Sequence, residues 1–94
     1  MIHSFADQET ECVFQRLPCK RLSLDVQRIA YRKLVVIDAA ESINDLRIPP
    51  GNRLEKLKGN REGQHSIRIN EQWRICFRWK EGDTYDVEIA DFHC

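Results

Sequence analysis

The stretch WRICFRWKEGDTYDVEI, residues 73–89, decides the fold. Apolar side chains alternate over residues 73–79 and again over residues 85–89, and a period of two is typical of β-strands with one buried and one open face. The sequence Glu81-Gly82-Asp83 between the two segments predicts a hairpin turn. Arg74 and Arg78 are therefore expected on the open face of an antiparallel pair. The opposite, buried face is expected to hold Trp73, Ile75, Phe77 and Trp79.

The segments before this hairpin predict a third strand and two helices. Residues 66–69 alternate like the hairpin strands. A first helix is expected over residues 7–16, because Pro18 ends it. Ser23 is a suitable N-cap for a second helix, in which apolar residues recur at spacings of three, four and seven between Val26 and Ala40. Residues 2–5 have an extended character, and one more helical turn is expected before Pro49-Pro50-Gly51.

Helices followed by a meander of strands indicate an α+β domain, with the N-terminal helices on one face of a small antiparallel β-sheet. A length of 94 residues fits one domain spanning residues 1–94. The chain has no run of 18 apolar residues, and its acidic beginning, MIHSFADQETE, does not resemble a secretory signal. We therefore expect a cytoplasmic protein without a membrane segment.

The cysteines lie too far apart for a Cys-x-x-Cys metal or redox motif, so we interpret all four as free thiols. The sequence shows no other metal-binding cluster, and no metal or cofactor is expected. The four cysteines are Cys12, Cys19, Cys76 and Cys94.

Charge is segregated along the chain, although the formal net charge is zero. Residues 47–80 hold nine Lys or Arg and three Asp or Glu, whereas residues 81–94 hold no Lys or Arg and five Asp or Glu. A local positive surface of this kind attracts polyanions such as RNA. The alternative is that Arg68, Arg74 and Arg78 form cross-strand ion pairs with Asp86 and Glu88. The pattern alone does not decide between the two. Candidate RNA-binding residues are Arg53, Lys56, Lys58 and Arg61 on the loop and Arg68, Arg74 and Arg78 on the sheet.

The C-terminal residues Asp91, Phe92 and His93 combine a carboxylate, an aromatic ring and an imidazole. Histidine transfers protons near neutral pH, a carboxylate can orient it, and an aromatic ring can stack on a nucleobase. Strand alternation places Asp91 and His93 on one face and Phe92 on the other, unless the strand end twists or bulges. His3 and His65 lack such neighbours and are interpreted as structural.

The segments LRIPPGNRLEKLKGNREGQHSIRINEQWRICFRW, residues 46–79, and DVEIADFH, residues 86–93, resemble the RelE/ParE superfamily of bacterial toxins, specifically its HigB-like host-killing branch. The resemblance implies a RelE-like fold and a metal-independent endoribonuclease, an mRNA interferase that cuts mRNA in the A site of the 70S ribosome and so inhibits translation and growth. It also implies a helix-turn-helix, HigA-like antitoxin. The toxin-antitoxin complex would be hetero-oligomeric and bind its operator through the antitoxin.

The same resemblance implies roles for individual residues. His93 would transfer protons with Asp91 orienting it, and Lys58 and Arg74 would neutralise phosphate charge. Glu55 stands where some members carry histidine before the LKG motif, and is a second candidate base, because a carboxylate among cations stays ionised. Phe92 stands where many members carry tyrosine. The phenylalanine ring can still stack on a base but lacks the tyrosine hydroxyl. The residues that would hold RNA are Arg53, Lys56, Arg61, Arg68, Arg78 and Phe92.

Two other functions remain open from the sequence. One is a non-catalytic inhibitor of DNA gyrase, as on the ParE side of the superfamily. The other is a weakened toxin that acts mainly by binding its antitoxin, because Glu55 and Phe92 depart from the family pattern.

Overall fold

Two helices pack against a four-stranded antiparallel sheet, in agreement with the predicted α+β class. The computed structural model describes residues 1–92, so His93 and Cys94 lie outside the described residues. The strands follow one another in the sheet in chain order. The elements are helices α1 (Gln8–Phe14) and α2 (Leu24–Ala39), strands β1 (Glu55–Lys56), β2 (His65–Arg68), β3 (Trp73–Lys80) and β4 (Asp83–Asp91), and 3-10 turns at Ile43–Arg47, Pro50–Asn52 and Gly59–Arg61.

Both helices begin at side-chain caps. The Asp7 carboxylate accepts a hydrogen bond from the Thr10 backbone N–H at 2.9 Å. The Ser23 hydroxyl accepts one from the Val26 backbone N–H at 3.2 Å, which confirms the predicted N-cap. Each cap satisfies a backbone donor that the first helical turn leaves without a partner. The predicted stripe on α2 is also confirmed, because Val26, Ala30, Leu34 and Ile37 are buried.

The core lies between α2 and one face of the sheet. Ile67 pairs with Ile75, and Ile75 pairs with Ile89, so three buried isoleucines form a row across β2, β3 and β4. Phe77 is buried on the same face, as predicted, whereas Trp73 and Trp79 are only partly buried. The sequence did not predict β1, because a strand of two residues is too short to show a period of two.

Strand β4 contains a β-bulge opposite Phe77. Cys76 pairs with Glu88 and Arg78 pairs with Tyr85, so β4 carries one extra residue in this interval. Asp86 adopts a left-handed backbone conformation there, with φ of 54°. The extended N-terminal residues predicted from the sequence cover the outer edge of β4 through parallel bridges, Ile2 to Thr84 and Phe5 to Val87. Within residues 1–92, no helix is both long and apolar enough to cross a lipid bilayer.

Candidate active site

Arg74 is the most firmly held cation on the open face of the sheet. Its side chain is only 11% exposed. Nε donates to the Ser66 hydroxyl at 2.8 Å, and Nη2 donates to the backbone carbonyl of Arg53 at 2.7 Å. These bonds tie the guanidinium to strand β2 on one side and to the loop before β1 on the other. The positive charge therefore has a defined position, which a solvated surface arginine lacks.

The aromatic ring of Phe92 lies beside two guanidinium groups. Arg74 Cζ is 6.0 Å from the ring centroid, and Arg61 Cζ is 5.9 Å from it. Arg61 is itself held, because Nη1 donates to Glu88 Oε1 at 3.0 Å and to Gln64 Oε1 at 3.2 Å. The hydrogen bond to Glu88 raises the pKa of Arg61 above its usual value. An aromatic face flanked by cations suits a nucleobase and its neighbouring phosphates.

A shallow cavity of about 300 Å³ opens next to this ring. It brings together Lys58 and Asp91, both predicted as catalytic, with Arg61 and Phe92. Lys58 is exposed and directly precedes the 3-10 turn Gly59–Arg61. The cavity is lined by Leu57, Lys58, Asn60, Arg61, Asp91 and Phe92.

Glu55 lies on the same side of the sheet as Arg74. Strand β1 pairs Glu55 with Ser66, and Glu55 Oε1 is 4.0 Å from Arg74 Nη2. The carboxylate is 59% exposed, so it is accessible to a ligand. The structure thus places Glu55, the second candidate base, within ion-pair distance of Arg74.

The other predicted RNA-binding residues differ in their contacts and in the face of the sheet that they occupy. Arg53 supplies its carbonyl to Arg74, and its side chain is exposed. Arg68 pairs with Arg74 in the strand register and donates from Nε to the Asn70 carbonyl at 3.2 Å. Lys56 pairs with His65, one residue out of phase with Glu55, and therefore belongs to the opposite face of the sheet.

Arg78 forms a cross-strand ion pair, as the alternative interpretation predicted. Its Nε lies 3.5 Å from Asp86 Oδ2. Glu88, in contrast, pairs with Arg61 of the loop, and Arg68 and Arg74 contact backbone oxygens and Ser66 rather than these two acids. The ion-pair interpretation is therefore correct for Arg78 and wrong for the other two arginines, because Glu88 pairs with Arg61 of the loop instead.

Asp91 does not sit opposite Arg74 in the sheet. Its register partner is Trp73, so it belongs to the face opposite Arg74, and its Oδ2 accepts a hydrogen bond from Gln72 Nε2 at 3.1 Å. His93, the predicted proton-transfer residue, lies outside the described residues. The proposed orientation of His93 by Asp91 therefore stays a prediction.

Ser66, Gln64 and Glu88 take part in the site but were not predicted. Each acts by holding an arginine rather than by carrying an obvious reactive group. Alternation alone indicates that Ser66 and Glu88 lie on the open face. Their arginine partners depend on strand register and on the path of the loop, neither of which the residue pattern specifies.

Two other titratable residues, in strands β2 and β3, have pKa values that burial shifts. Burial raises the pKa of the Cys76 thiol to about 11. Burial, followed by the charges of Lys56 and Arg47, lowers the pKa of His65 below its usual value, and its ring stacks on Phe77 at 6.2 Å between centroids.

Cys12, Cys19 and Cys76 are free thiols, as predicted. No cluster of three or more potential metal ligands occurs in the described part of the chain.

Comparison with solved structures first defines the class of fold. The chain is similar to the YoeB-YefM complex from Staphylococcus aureus, with a TM-score of 0.62 and 23% sequence identity over 100% of this chain and 97% of the other. A second solved structure, a heterotetrameric YoeB-YefM toxin-antitoxin complex from the same organism, gives the same TM-score and coverage. At this identity the likeness concerns the fold, which is the RelE-like fold predicted from the sequence.

The sequence then identifies the family. Residues 3–93 match the model of the family described as RelE-like toxin of type II toxin-antitoxin system HigB. The chain belongs to this HigB-like toxin family, which confirms the predicted resemblance.

Two curated relatives agree with this assignment. Endoribonuclease HigB of Proteus vulgaris is 37% identical over 98 residues, covering 99% of this chain and 100% of the relative. Toxin HigB-1 of Vibrio cholerae is 51% identical over 57 residues, an alignment that covers 61% of this chain and 60% of the relative's length.

Proposed function

We propose that this toxin is an endoribonuclease that cleaves mRNA in the ribosomal A site and thereby inhibits translation and growth. The observation that carries the proposal is the Arg74 guanidinium. It is held by Ser66 and the Arg53 carbonyl on the sheet face opposite the core, between the Glu55 carboxylate and the Phe92 ring. Family membership supports it, and the Proteus vulgaris relative is named an endoribonuclease.

Cleavage without a metal requires a base, an acid and cations. The base removes the proton of the 2′-hydroxyl, whose oxygen forms a bond to phosphorus as the bond to the departing 5′-oxygen breaks. The acid protonates that 5′-oxygen, and the products are a 2′,3′-cyclic phosphate and a new 5′-hydroxyl. Negative charge accumulates on the non-bridging oxygens, where fixed donors stabilise it most.

The site residues fit these tasks as follows. Arg74 and Lys58 are proposed to bind the non-bridging oxygens. Glu55 is one candidate base, because its carboxylate lies 4.0 Å from Arg74 and is exposed to substrate. His93, oriented by Asp91, is the other proton-transfer candidate, and the two can serve as base and acid in either order.

The RNA chain is proposed to lie along the loop and the open face. Phe92 would stack on a base, with Arg61 beside it. Arg53 and Arg68 would bind neighbouring phosphates, while Lys56 and Arg78 would contribute longer-range attraction. The ribosome would supply the orientation of the message, since positioning of reactants accounts for roughly 7–11 kcal/mol in the best intramolecular reactions.

The proposed partner in the cell is a helix-turn-helix, HigA-like antitoxin. The family description, which places these toxins in type II toxin-antitoxin systems, supports an antitoxin partner. The solved structures with the same fold are themselves toxin-antitoxin complexes. We propose a hetero-oligomeric complex in the cytoplasm that binds its operator through the antitoxin.

Primer extension on cellular messages after induction tests the proposed activity. The wild-type chain is expected to create new 5′ ends within codons, and Arg74→Ala is expected to abolish them while remaining folded. Arg28→Ala is the matched control, because Arg28 is an exposed arginine on α2, paired with Asp25. Intact messages together with DNA breaks would instead support gyrase inhibition, and wild-type induction without a growth defect would support a weakened toxin.

A further inference from the structure

Glu88 places a negative charge directly beside Arg61, one of the cations of the proposed RNA-binding surface. Its side chain is 30% exposed, and its Oε1 lies 3.0 Å from Arg61 Nη1. A carboxylate at this point lowers the local positive potential and, taken alone, opposes RNA binding. Its contact with Arg61 has the opposite consequence, because it restricts a long side chain at the edge of the cavity.

The Arg61 guanidinium is held from two elements. Glu88 belongs to β4, and Gln64 lies just before β2 at the end of the loop that carries Arg61. Both of these hydrogen bonds use Nη1. Neither of them involves Nε or Nη2, and Cζ lies 5.9 Å from the Phe92 ring centroid.

We propose that Glu88 is a positioning residue that holds Arg61 beside Phe92 and so prepares a stacking site for one nucleotide of the substrate RNA. This inference rests on the proposed nuclease function. A mobile arginine side chain loses conformational entropy when it binds RNA, and this entropic cost weakens binding and slows catalysis. Ordering the side chain during folding removes this cost from the reaction.

Charge and positioning predict opposite effects of removing Glu88. If only charge matters, Glu88→Ala increases attraction for RNA and cleavage is unchanged or faster. If Glu88 positions Arg61, kcat on mRNA in programmed 70S ribosomes falls by about 10- to 100-fold, the range expected from a misplaced group. KM should change by no more than about threefold, because removal of the Glu88 charge strengthens attraction for RNA and offsets the weaker pre-organisation of Arg61.

Glu62→Gln is the matched control. Glu62 is exposed and adjacent to Arg61 in the sequence, so its replacement removes one negative charge from the same loop without removing the contact between Glu88 and Arg61. This variant is expected to cleave at least as fast as the wild type. A double-mutant cycle then tests whether Glu88 acts through Arg61: Arg61→Ala with Glu88→Ala should be no slower than Arg61→Ala alone.

The outcomes separate the two proposals. A wild-type protein that produces no new 5′ ends on ribosomes would overturn the nuclease function, and this inference with it. Wild-type cleavage with Glu88→Ala equal to Glu62→Gln would overturn the positioning role alone, as would additive effects in the cycle. If Glu88→Ala fails to melt cooperatively, Glu88→Met decides by the same criterion, because it keeps a side chain of similar length but has no oxygen to accept a hydrogen bond from Arg61. A kcat equal to wild type would refute the proposal.

Discussion

Arg74→Lys keeps the positive charge at the centre of the site but removes the planar fork. Nε and Nη2 of Arg74 donate in different directions, to Ser66 Oγ at 2.8 Å and to the Arg53 carbonyl at 2.7 Å. A lysine ammonium is a single point charge on a flexible stem and cannot reproduce this arrangement. We therefore expect the variant to retain electrostatic attraction for RNA and to lose positioning.

The magnitude follows from the hydrogen bonds lost. A hydrogen bond that involves a charged group contributes about 1.5–3 kcal/mol. If lysine replaces one of these bonds and loses the other, the cation is no longer fixed against the phosphate, and a misplaced group of this kind costs roughly 10- to 100-fold in kcat. Because the Arg74 side chain is only 11% exposed, folding stability should fall as well, by up to about 3 kcal/mol.

Single-turnover cleavage of mRNA on purified ribosomes measures the first effect, and urea denaturation measures the second. Arg28→Lys on the exposed surface of α2 serves as the control and should change neither quantity. A kcat for Arg74→Lys within about threefold of wild type would refute the reasoning, because that result would mean that charge alone, without the fixed fork, is sufficient.

Two predictions concern stability. Ile75→Ala should lower the free energy of unfolding by about 2–5 kcal/mol, because Ile75 is fully buried between Ile67 and Ile89, and urea denaturation checks it; a loss below about 1 kcal/mol would contradict the assigned core. Cys76 has a native pKa of about 11 against an ordinary value of 9.0, so the folded state holds its proton between these values while the unfolded state loses it. The contribution of Cys76 to the free energy of unfolding should therefore be complete below pH 9. It should decrease between pH 9 and 11, by up to about 1.4 kcal/mol per pH unit. Cys76→Ala should flatten that part of the profile, and an unchanged slope in this variant would count against the assignment.

The helices and the central hairpin could be predicted because their signals are local. Ser23 begins α2 with a cap to a residue three positions away, and the apolar stripe of α2 repeats within one or two turns. The alternation in β3 specifies which side chains share a face, so the positions of Ile75, Phe77 and Arg74 follow from neighbouring residues alone.

The functional site could be predicted in its composition but not in its contacts. The sequence indicated that Arg74, Lys58, Glu55, Asp91 and Phe92 belong together, partly through the family motifs. The structure places Lys58, Asp91 and Phe92 around one cavity, and brings Glu55 within 4.0 Å of Arg74. Lys56 was grouped with the same surface, but its register with His65 assigns it to the other face.

The sequence by itself determined most of the element types, the alternation of side chains between the two faces of the central strands and the concentration of positive charge in the middle of the chain, but not that the face expected to be open buries Ser66 and Cys76. Tertiary structure alone decided that Ser66 holds Arg74 and that Glu88 holds Arg61, across 8 and 27 positions of the chain. The physical reason is that periodicity and capping act between residues a few positions apart, whereas these contacts depend on strand register, the bulge in β4 and the loop path, which result from packing of the whole domain.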